Sequence, residues 1–456
     1  MNIDQLKQKL AEIDPTVVRE FILDLFLHYP ELSDKIEALV LSDDPAALAK
    51  ALGKRVQSLS RGSRFIDRRA SLDFSRELEG LLADIASGLL ASSPKHAFDL
   101  IDKFLKTADS VINRVDDSNG SVGQVYRDTV ILWLTAAKAW QGANIDWLER
   151  VYELEQQNDY GVLDPLLPNA NLLLSQDQLT QLAWRYESEL RKASKSPEER
   201  GDFNYDALRS GVALQSIAQA LRDPDLYERA LLIRSPKPNH LQMKDICENY
   251  LRHHQPEAAM RYLDQSWESR FEQHRLGLLD EVYVQMGDRQ QLKQIRYQLF
   301  QNWQGYSSFK TYLEVLDEQE REKARDEAIT QAEQGGNLMQ NTDLLLNLNQ
   351  PERAQVLILS RYQELQACPY HSLLDLAKAF EKASCDLAAT ACYRALLMDI
   401  LAQARSKAYG HGAQYYKKLE ALVGKIKAFE PLPDHHNFVQ ELRSTHGLKR
   451  SFWAQL

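Results

Sequence analysis

The sequence contains few of the residues that interrupt helices or favour strands. Glycine and proline, at 19 and 15 of 456 residues, make up about 7% of the chain, where average usage is about 12%. Valine, isoleucine and threonine together reach only about 10%, and these branched residues lose side-chain freedom in helices and pack well in strands. Their scarcity excludes a chain rich in β-sheet and predicts an all-α fold.

Signals for export, membrane insertion and disulfide bonding are also missing. The amino terminus has acidic residues and no apolar core, the longest apolar run covers only residues 130–137, and the four cysteines are scattered. A membrane-spanning helix needs about 20 apolar residues, and a disulfide framework needs an ordered set of cysteines. We therefore expect a cytoplasmic protein without membrane association.

Acidic residues outnumber basic ones. The 55 Lys and Arg residues against 65 Asp and Glu residues give a formal net charge of −10. A protein that contacts nucleic acid along its whole length needs an excess of positive charge. The composition therefore argues against nucleic acid as the main partner.

Helix-starting residues recur at a regular interval in the second half of the chain. They stand at Pro224, Pro256, Asp288, Pro351 and Asp386, with a further start expected near Asp317. Their spacing of about 32–35 residues is typical of two-helix repeats. Pro256, Pro351 and Asp386 each place an alanine on the fourth residue, which lets a neighbouring helix approach closely. We predict an α-solenoid of stacked helix hairpins, similar to TPR or HEAT repeats.

The first half restarts its helices less often, at Pro45, Pro94 and Asn144. This interval of about 50 residues is similar to that of HEAT-type repeats. A polar stretch rich in helix breakers at 192–202 predicts a boundary or an exposed loop. The predicted divisions are residues 1–195 with longer repeats, 203–405 with TPR-like hairpins, and 406–456 as an aromatic C-terminal cap.

Several stretches together resemble a bacterial family of helical proteins with no assigned function. They are residues 64–68, 116–123, 409–422, Phe438, Leu442, Arg443 and 446–450. The C-terminal stretches are also similar to the helical region that follows the zinc finger in bacterial SWIM-type zinc-finger proteins. This resemblance implies a helical fold. The finger itself, a Cys-x-Cys with a later Cys-x-His, is absent, so the resemblance implies no nucleic-acid role for this chain.

One basic cluster stands out as a candidate binding site. It contains four arginines and an aspartate: Arg61, Arg64, Asp67, Arg68 and Arg69. Arg64 and Arg68 are four residues apart and would share one face of a helix. Arginine forks pair with phosphate or carboxylate groups, so the cluster could bind an anion. The alternative, which we favour, is an ion-pair network with acidic residues of the next helix, such as Asp73 and Glu77.

The remaining polar clusters have structural explanations. Residues 116–120, of sequence Asp-Asp-Ser-Asn-Gly, lack the glycine and glutamate spacing of an EF-hand calcium loop and predict a structured turn. The cysteines and histidines lack zinc-ligand spacing, so we expect core cysteines and no metal site. Tyr409, His411 and Tyr415 could line a polar groove, but a half-buried aromatic cap on the last repeat, which we favour, explains them as well.

Catalytic motifs are absent from the sequence: it has no Gly-x-Ser-x-Gly, no phosphate-binding loop and no His-Glu-x-x-His. We therefore predict no enzymatic activity and no cofactor. The favoured function is a non-catalytic scaffold that binds a protein or peptide partner on the curved surface of the solenoid. The alternative is an accessory nucleic-acid-associated protein that uses the cluster from Arg61 to Arg69. A homodimer would be compatible with either function.

Overall fold

The computed structural model describes residues 2–29, 32–142, 144–158, 161–194, 204–303 and 305–456. The chain is all-helical, with 76% helix, and the described residues form no β-strand. Their one isolated β-bridge joins Ile66 and Val115. This confirms the prediction of an all-α fold. Within these ranges no helix combines the length and the apolar character that crossing a membrane requires.

The chain divides into two compact units, Met1–Asn249 and Tyr250–Leu456. The first unit contains twelve complete α-helices within its described residues. They are α1 (Ile3–Ala11), α2 (Pro15–His28), α3 (Ser33–Val40), α4 (Pro45–Arg61), α5 (Arg68–Leu89), α6 (Pro94–Leu105), α7 (Ala108–Ile112), α8 (Ser121–Trp140), α9 (Trp147–Glu155), α10 (Gln176–Ala193), α11 (Tyr205–Leu221) and α12 (Pro224–Arg234).

Helix α13 (His240–Arg252) contains residues 249 and 250, between which the two units divide. Further helices follow it in the second unit. They are α14 (Pro256–Leu263), α15 (Glu272–Met286), α16 (Arg289–Trp303), α17 (Tyr306–Glu314), α18 (Glu318–Gln334), α19 (Leu338–Asn347), α20 (Pro351–Ser360), α21 (Tyr370–Lys382), α22 (Asp386–Ala402), α23 (Tyr409–Val423), α24 (His435–His446) and α25 (Arg450–Trp453).

Most of the predicted helix starts are confirmed. Pro224, Pro256 and Pro351 each occupy the first turn of a helix, where the missing proline N–H would have no partner in any case. Asp317 caps α18 by accepting a hydrogen bond from the Glu320 amide. The start predicted at Asn144 is wrong by a few residues, because Asp146 provides the cap and α9 begins after it.

The hairpin of α21 and α22 shows how these helices pack. Helix α21 buries Leu373, Leu376 and Phe380 along one face, and α22 packs against it with Ala388 and Ala391 buried. Ala389, on the fourth residue of α22, is buried as well. The helix pairs α15–α16 and α19–α20 also contact each other as chain neighbours.

In the first unit, helices that are not consecutive also pack together. Helix α4 contacts both α5 and α6, and α6 and α5 each contact α8. This arrangement places α4 and α6 side by side with one shared solvent-facing surface.

The predicted divisions at 195, 203 and 405 stay predictions. Along the chain, the first unit ends at residue 249 and the second begins at residue 250. The stretch predicted as a boundary or loop at 192–202 lies largely outside the described residues. The aromatic cap predicted for 406–456 belongs to the second unit, where its helices α23 and α25 pack together.

Candidate functional site

Helix α4 buries one face and exposes a row of basic side chains on the opposite face. Leu48, Leu52 and Val56 are buried at intervals of four residues. Lys50 and Lys54 are exposed, and Gln57 and Arg61 continue their row at three- and four-residue steps, which keeps all four on one side of a helix. Eleven residues of helix separate Lys50 from Arg61, so the row is about 16 Å long.

This row borders a groove between α4 and α6, which we call the basic groove. Its volume is about 550 Å³, and Gly53 and Leu100 lie where the two helices meet. The residues that line it include no carboxylate. They are Ala49, Lys50, Gly53, Lys54, Val56, Gln57, Ser60, Leu100, Lys103, Lys106 and Thr107.

The lysines of the basic groove differ in how far their charge is neutralised. Lys106 Nζ lies 2.7 Å from Asp102 Oδ2, whereas the other three have no carboxylate within 4.0 Å in the part of the chain that the structure describes. Asp102 also accepts hydrogen bonds from Trp133 Nε1 and Arg150 Nη2, both at 3.0 Å. Burial raises the pKa of Asp102, but the hydrogen bonds from Lys106 and Trp133 outweigh it and hold the pKa below its ordinary value.

Residues 61–69 form the arginine loop, which begins at the last residue of α4. Ile66 attaches the loop to the segment after α7. Its amide donates to the Arg114 carbonyl and its carbonyl accepts from the Asp116 amide, both at 2.9 Å. Asp67 then caps α5, which begins at Arg68. The predicted shared helical face is therefore wrong, since Arg64 lies in the loop and only Arg68 is helical.

The four arginines of the loop are exposed. Among the described residues, none of their guanidinium groups lies within 4.0 Å of a carboxylate. Asp73 pairs with Arg76 at 3.0 Å, so the predicted ion-pair network with Asp73 and Glu77 is wrong. Asp67 accepts hydrogen bonds from the Ala70 and Arg69 amides, and these hold its pKa below the ordinary value. The loop thus presents net positive charge to solvent.

Arg114 positions the arginine loop, a role that no motif or spacing in the sequence indicates. Its Nη2 donates to the Leu59 carbonyl at 3.3 Å and its Nη1 to the Arg64 carbonyl at 3.4 Å. The guanidinium carbon also lies 5.3 Å from the centre of the Phe74 ring. Gly62 leaves room for this group, because a Cβ there would come within 2.8 Å of it.

The turn at 116–120 lies between α7 and α8, and the prediction of a structured turn is confirmed. Asp117 accepts hydrogen bonds from the Val122 and Gly123 amides at 2.9 and 2.8 Å, which satisfies the first turn of α8. Asn119 Nδ2 donates to Ser71 Oγ at 3.1 Å. The turn is therefore joined to the first turn of α5, directly after the arginine loop.

The C-terminal candidates do not come together as an open groove. Tyr409 is buried with its ring edge-on to Phe452 at 5.9 Å. Tyr415 is buried with its ring 5.6 Å from Tyr393. His411 lies on the same helix but is exposed. The tyrosines are core residues of the second unit.

Tyr415 belongs to what we call the tyrosine cluster, made of Tyr370, Glu381, Tyr393, Tyr415 and Lys418. The hydroxyls of Tyr370 and Tyr415 hydrogen-bond to each other. Tyr393 Oη donates to Glu381 Oε2 at 2.6 Å, and Lys418 Nζ donates to the same oxygen. Burial raises the pKa of Glu381, but these two hydrogen bonds outweigh it and leave the pKa below its ordinary value.

Metal ligands do not converge in the described ranges: no group of three or more His, Cys, Asp or Glu side chains there could hold a metal ion. Cys247, Cys385 and Cys392 are buried, as expected for core cysteines, whereas Cys368 is only partly buried. Burial raises the pKa of the Cys385 thiol.

The fold and the site define an all-helical protein with a basic groove and an arginine loop in its first unit. Comparison with protein families identifies it further: the chain belongs to a family of unknown function, DUF6880, whose model matches residues 20–455. No curated protein and no solved structure matches the chain.

Proposed function

We propose that this protein is a non-catalytic α-solenoid scaffold whose basic groove and arginine loop bind an acidic segment of a partner protein. The observation that carries the proposal is the groove lining: four lysines and no carboxylate, in a chain whose net charge is −10. A positive surface of this kind on an acidic protein attracts anionic ligands to one place.

The packing order of the helices supports a solenoid. In the second unit, many consecutive helices contact each other, such as α15–α16, α19–α20 and α21–α22, and α17–α19, α19–α21 and α20–α22 contact at the next step. Repeat arrays show this nearest-neighbour pattern, because each repeat buries its apolar face on the next one. Within the same proposal, the aromatic helices α23 and α25 cap the last repeat. A cytoplasmic location also remains a proposal, based on the scattered cysteines of the sequence.

The size of the groove favours a peptide segment as the ligand. The basic row on α4 is about 16 Å long, which five residues of extended chain would span. The arginine loop continues the row from Arg61 and adds the exposed ring of Phe65, which is 63% exposed. Aromatic and arginine side chains are enriched at protein interfaces. An acidic segment with an apolar residue fits this surface.

Nucleic acid is the alternative ligand. Phosphates would pair with the same lysines and arginines, but the basic surface is short and the chain as a whole repels a polyanion. The similarity to the region after the SWIM zinc finger stays a hypothesis and contributes nothing to this proposal. We therefore favour the acidic segment and treat nucleic acid as an outcome of the test.

The test is fluorescence anisotropy with two labelled probes of equal charge. One is an acidic peptide of about ten residues alternating glutamate and serine, long enough to cover the groove and the loop. The other is a single-stranded DNA oligonucleotide. We expect the intact chain to bind the peptide, and expect the triple variant Lys50→Glu, Lys54→Glu and Lys103→Glu to bind it at least about tenfold more weakly.

A matched control separates the groove from overall charge. The triple variant Lys323→Glu, Lys378→Glu and Lys427→Glu changes the net charge equally at exposed positions of the second unit. We expect this variant to bind the peptide nearly as well as the wild type. An equal loss of affinity in both variants would contradict the proposal. If DNA binds more tightly than the peptide, and this binding is lost in the groove variant alone, the ligand is nucleic acid and not an acidic segment.

A further inference from the structure

A second cavity adjoins the basic groove at Lys106, whose side chain lines both spaces. The residues next to Lys106 in the chain divide between the two: Thr107 lines the basic groove, whereas Leu105 and Ala108 line the second cavity. Thr107 and Ala108 are consecutive, so their Cα atoms lie about 3.8 Å apart. A ligand chain in the basic groove therefore reaches the second cavity within a few residues.

The second cavity, which we call the anchor cavity, combines an apolar lining with polar residues. Half of its ten lining residues are apolar and buried: Leu105, Ala108, Leu154, Val162 and Leu163. The other half are polar, and three of these, Lys106, Asp109 and Gln157, are exposed. Apolar walls with a few polar groups are typical of sites that bind a ligand.

Hydrogen bonds hold the lining of the anchor cavity in place. Asn158 Nδ2 donates to Asp164 Oδ1 at 2.8 Å, and Asn158 Oδ1 accepts from the Leu163 amide at 3.0 Å. Asp102, which also lines the cavity, is fixed by the hydrogen bonds from Trp133 and Arg150 described above. A cavity whose walls are already ordered costs a ligand less free energy to enter.

The volume of the anchor cavity fits one aliphatic side chain. The cavity measures about 130 Å³. An apolar cavity of about 150 Å³ binds benzene, which has six carbons, and the side chain of leucine has four. Burial of such a side chain strengthens binding by about tenfold or more. A single leucine would therefore contribute measurably to the affinity of a bound segment.

We propose that the acidic segment of the partner carries a leucine-type side chain that inserts into the anchor cavity, a few residues from the acidic residues in the basic groove. The change in charge between the two spaces supports this order. The basic groove is lined by no carboxylate, whereas the exposed Asp109 lines the anchor cavity and would repel a further acidic residue there. This inference rests on the proposed function and adds the sequence pattern of the partner: an acidic run, then one aliphatic residue without an acid beside it.

The test compares labelled peptides of equal charge by fluorescence anisotropy on the intact chain. The reference peptide is the alternating glutamate and serine sequence extended by Gly-Ser, and the anchored peptide carries Gly-Leu instead. A second pair places the two residues at the amino end, since a cavity accepts a side chain from either chain direction. We expect leucine to strengthen binding about tenfold over serine in one pair. A gain below about threefold in both pairs would overturn the inference.

A cavity-filling variant locates the leucine. Ala108→Leu occupies the anchor cavity with a side chain of the protein, and it should bring the ratio of the two peptide affinities close to one. The matched control Ala421→Leu adds the same side chain at an exposed position of α23, and it should keep the wild-type ratio. A ratio that is unchanged in Ala108→Leu would place the leucine elsewhere and overturn the inference.

A measurement on the wild type covers the case in which Ala108→Leu fails to fold. The anchored peptide is made with a photoreactive leucine analogue and irradiated in the complex. Mass spectrometry should find crosslinks to residues of the anchor cavity, such as Ala108, Leu154 or Val162. Crosslinks found only outside the cavity, or none, would overturn the inference.

Failure of the anchor differs from failure of the proposed function. Peptides that bind through Lys50, Lys54 and Lys103 without a gain from leucine would overturn the anchor and leave the basic groove as a binding site. If none of the peptides binds, the proposed function is wrong and the anchor with it.

Discussion

In the arginine loop of the first unit, four guanidinium groups face solvent without a carboxylate partner among the described residues. In the tyrosine cluster of the second unit, the hydroxyls of Tyr393 and Tyr415 and the Glu381 carboxylate all have hydrogen-bond partners within the cluster. The loop holds charge where a ligand can reach it. The cluster holds polar groups where they join α21, α22 and α23.

Polar groups have different effects in these two settings. Buried polar groups must be hydrogen-bonded, and removing one partner costs the desolvation of the other. Exposed arginines that are unpaired cost little, and they contribute little to stability. Substitutions should therefore affect stability in the tyrosine cluster and ligand binding in the arginine loop.

The largest effect on stability should come from Tyr415→Ala. Tyr415 is 6% exposed, and truncating a buried aromatic residue costs about 3–5 kcal/mol in free energy of unfolding. His411→Ala on the same helix should change that free energy by less than about 0.5 kcal/mol, because His411 is exposed. Denaturant unfolding monitored by circular dichroism measures both. Equal effects of the two substitutions would remove the distinction between core and surface on α23.

The tyrosine cluster should also make stability depend on pH. The folded-state pKa of Glu381 lies below its ordinary value, so its contribution is present above the unfolded pKa and is lost as pH falls through the folded pKa. Glu381→Gln should therefore be less stable than the wild type at pH 7. The gap should shrink as pH falls below about 4.3, the pKa of an unperturbed glutamate. A gap that is constant between pH 7 and pH 3 would contradict this assignment.

A smaller effect is expected at Arg114, whose guanidinium group is partly buried and donates to backbone carbonyls beside the arginine loop. Arg114→Ala removes two hydrogen bonds to backbone carbonyls, and we expect a loss of about 1–2 kcal/mol in free energy of unfolding. The matched control is Arg76→Ala, since the Arg76 side chain is 65% exposed. We expect faster amide exchange at Ile66 in the Arg114 variant only. Unchanged exchange there would show that Arg114 does not position the loop.

The smallest effects on stability should come from the arginine loop itself. Arg64→Ala and Arg68→Ala should each change the free energy of unfolding by less than about 0.5 kcal/mol, as surface substitutions usually do. Thermal unfolding of the single variants measures this. A loss of about 3–5 kcal/mol in either variant would indicate a buried ion pair and restore the network that the sequence favoured.

Helix starts and apolar stripes could be predicted because they depend on neighbouring residues. Pro256 and Pro351 are each followed by residues that favour a helix, and proline is favoured at the first helical position. The spacing of Leu373, Leu376 and Phe380 already defines one buried face. The basic groove could not be predicted in the same way, because it requires α4 to lie beside α6. The row from Lys50 to Arg61 was visible in the sequence as three- and four-residue steps, but nothing there placed Lys103 opposite it.

The loop was mispredicted for a related reason. Arg64 and Arg68 have helical spacing, but Gly62 ends α4 and Asp67 caps a new helix, so the backbone between them is extended toward Val115. A local capping signal outweighed the four-residue spacing. The burial of Tyr409 and Tyr415 beside an exposed His411 depended on contacts with residues far along the chain, such as Tyr370 and Phe452.

We propose that the exposed charges of the first unit bind a ligand and do not stabilise the fold. The most direct test measures the affinity for the acidic peptide probe and the melting temperature of one variant, Arg61→Ala, Arg64→Ala, Arg68→Ala and Arg69→Ala combined. We predict at least about tenfold weaker binding at low salt with an unchanged melting temperature. Unchanged affinity, or a variant that melts well below the wild type, would contradict the claim.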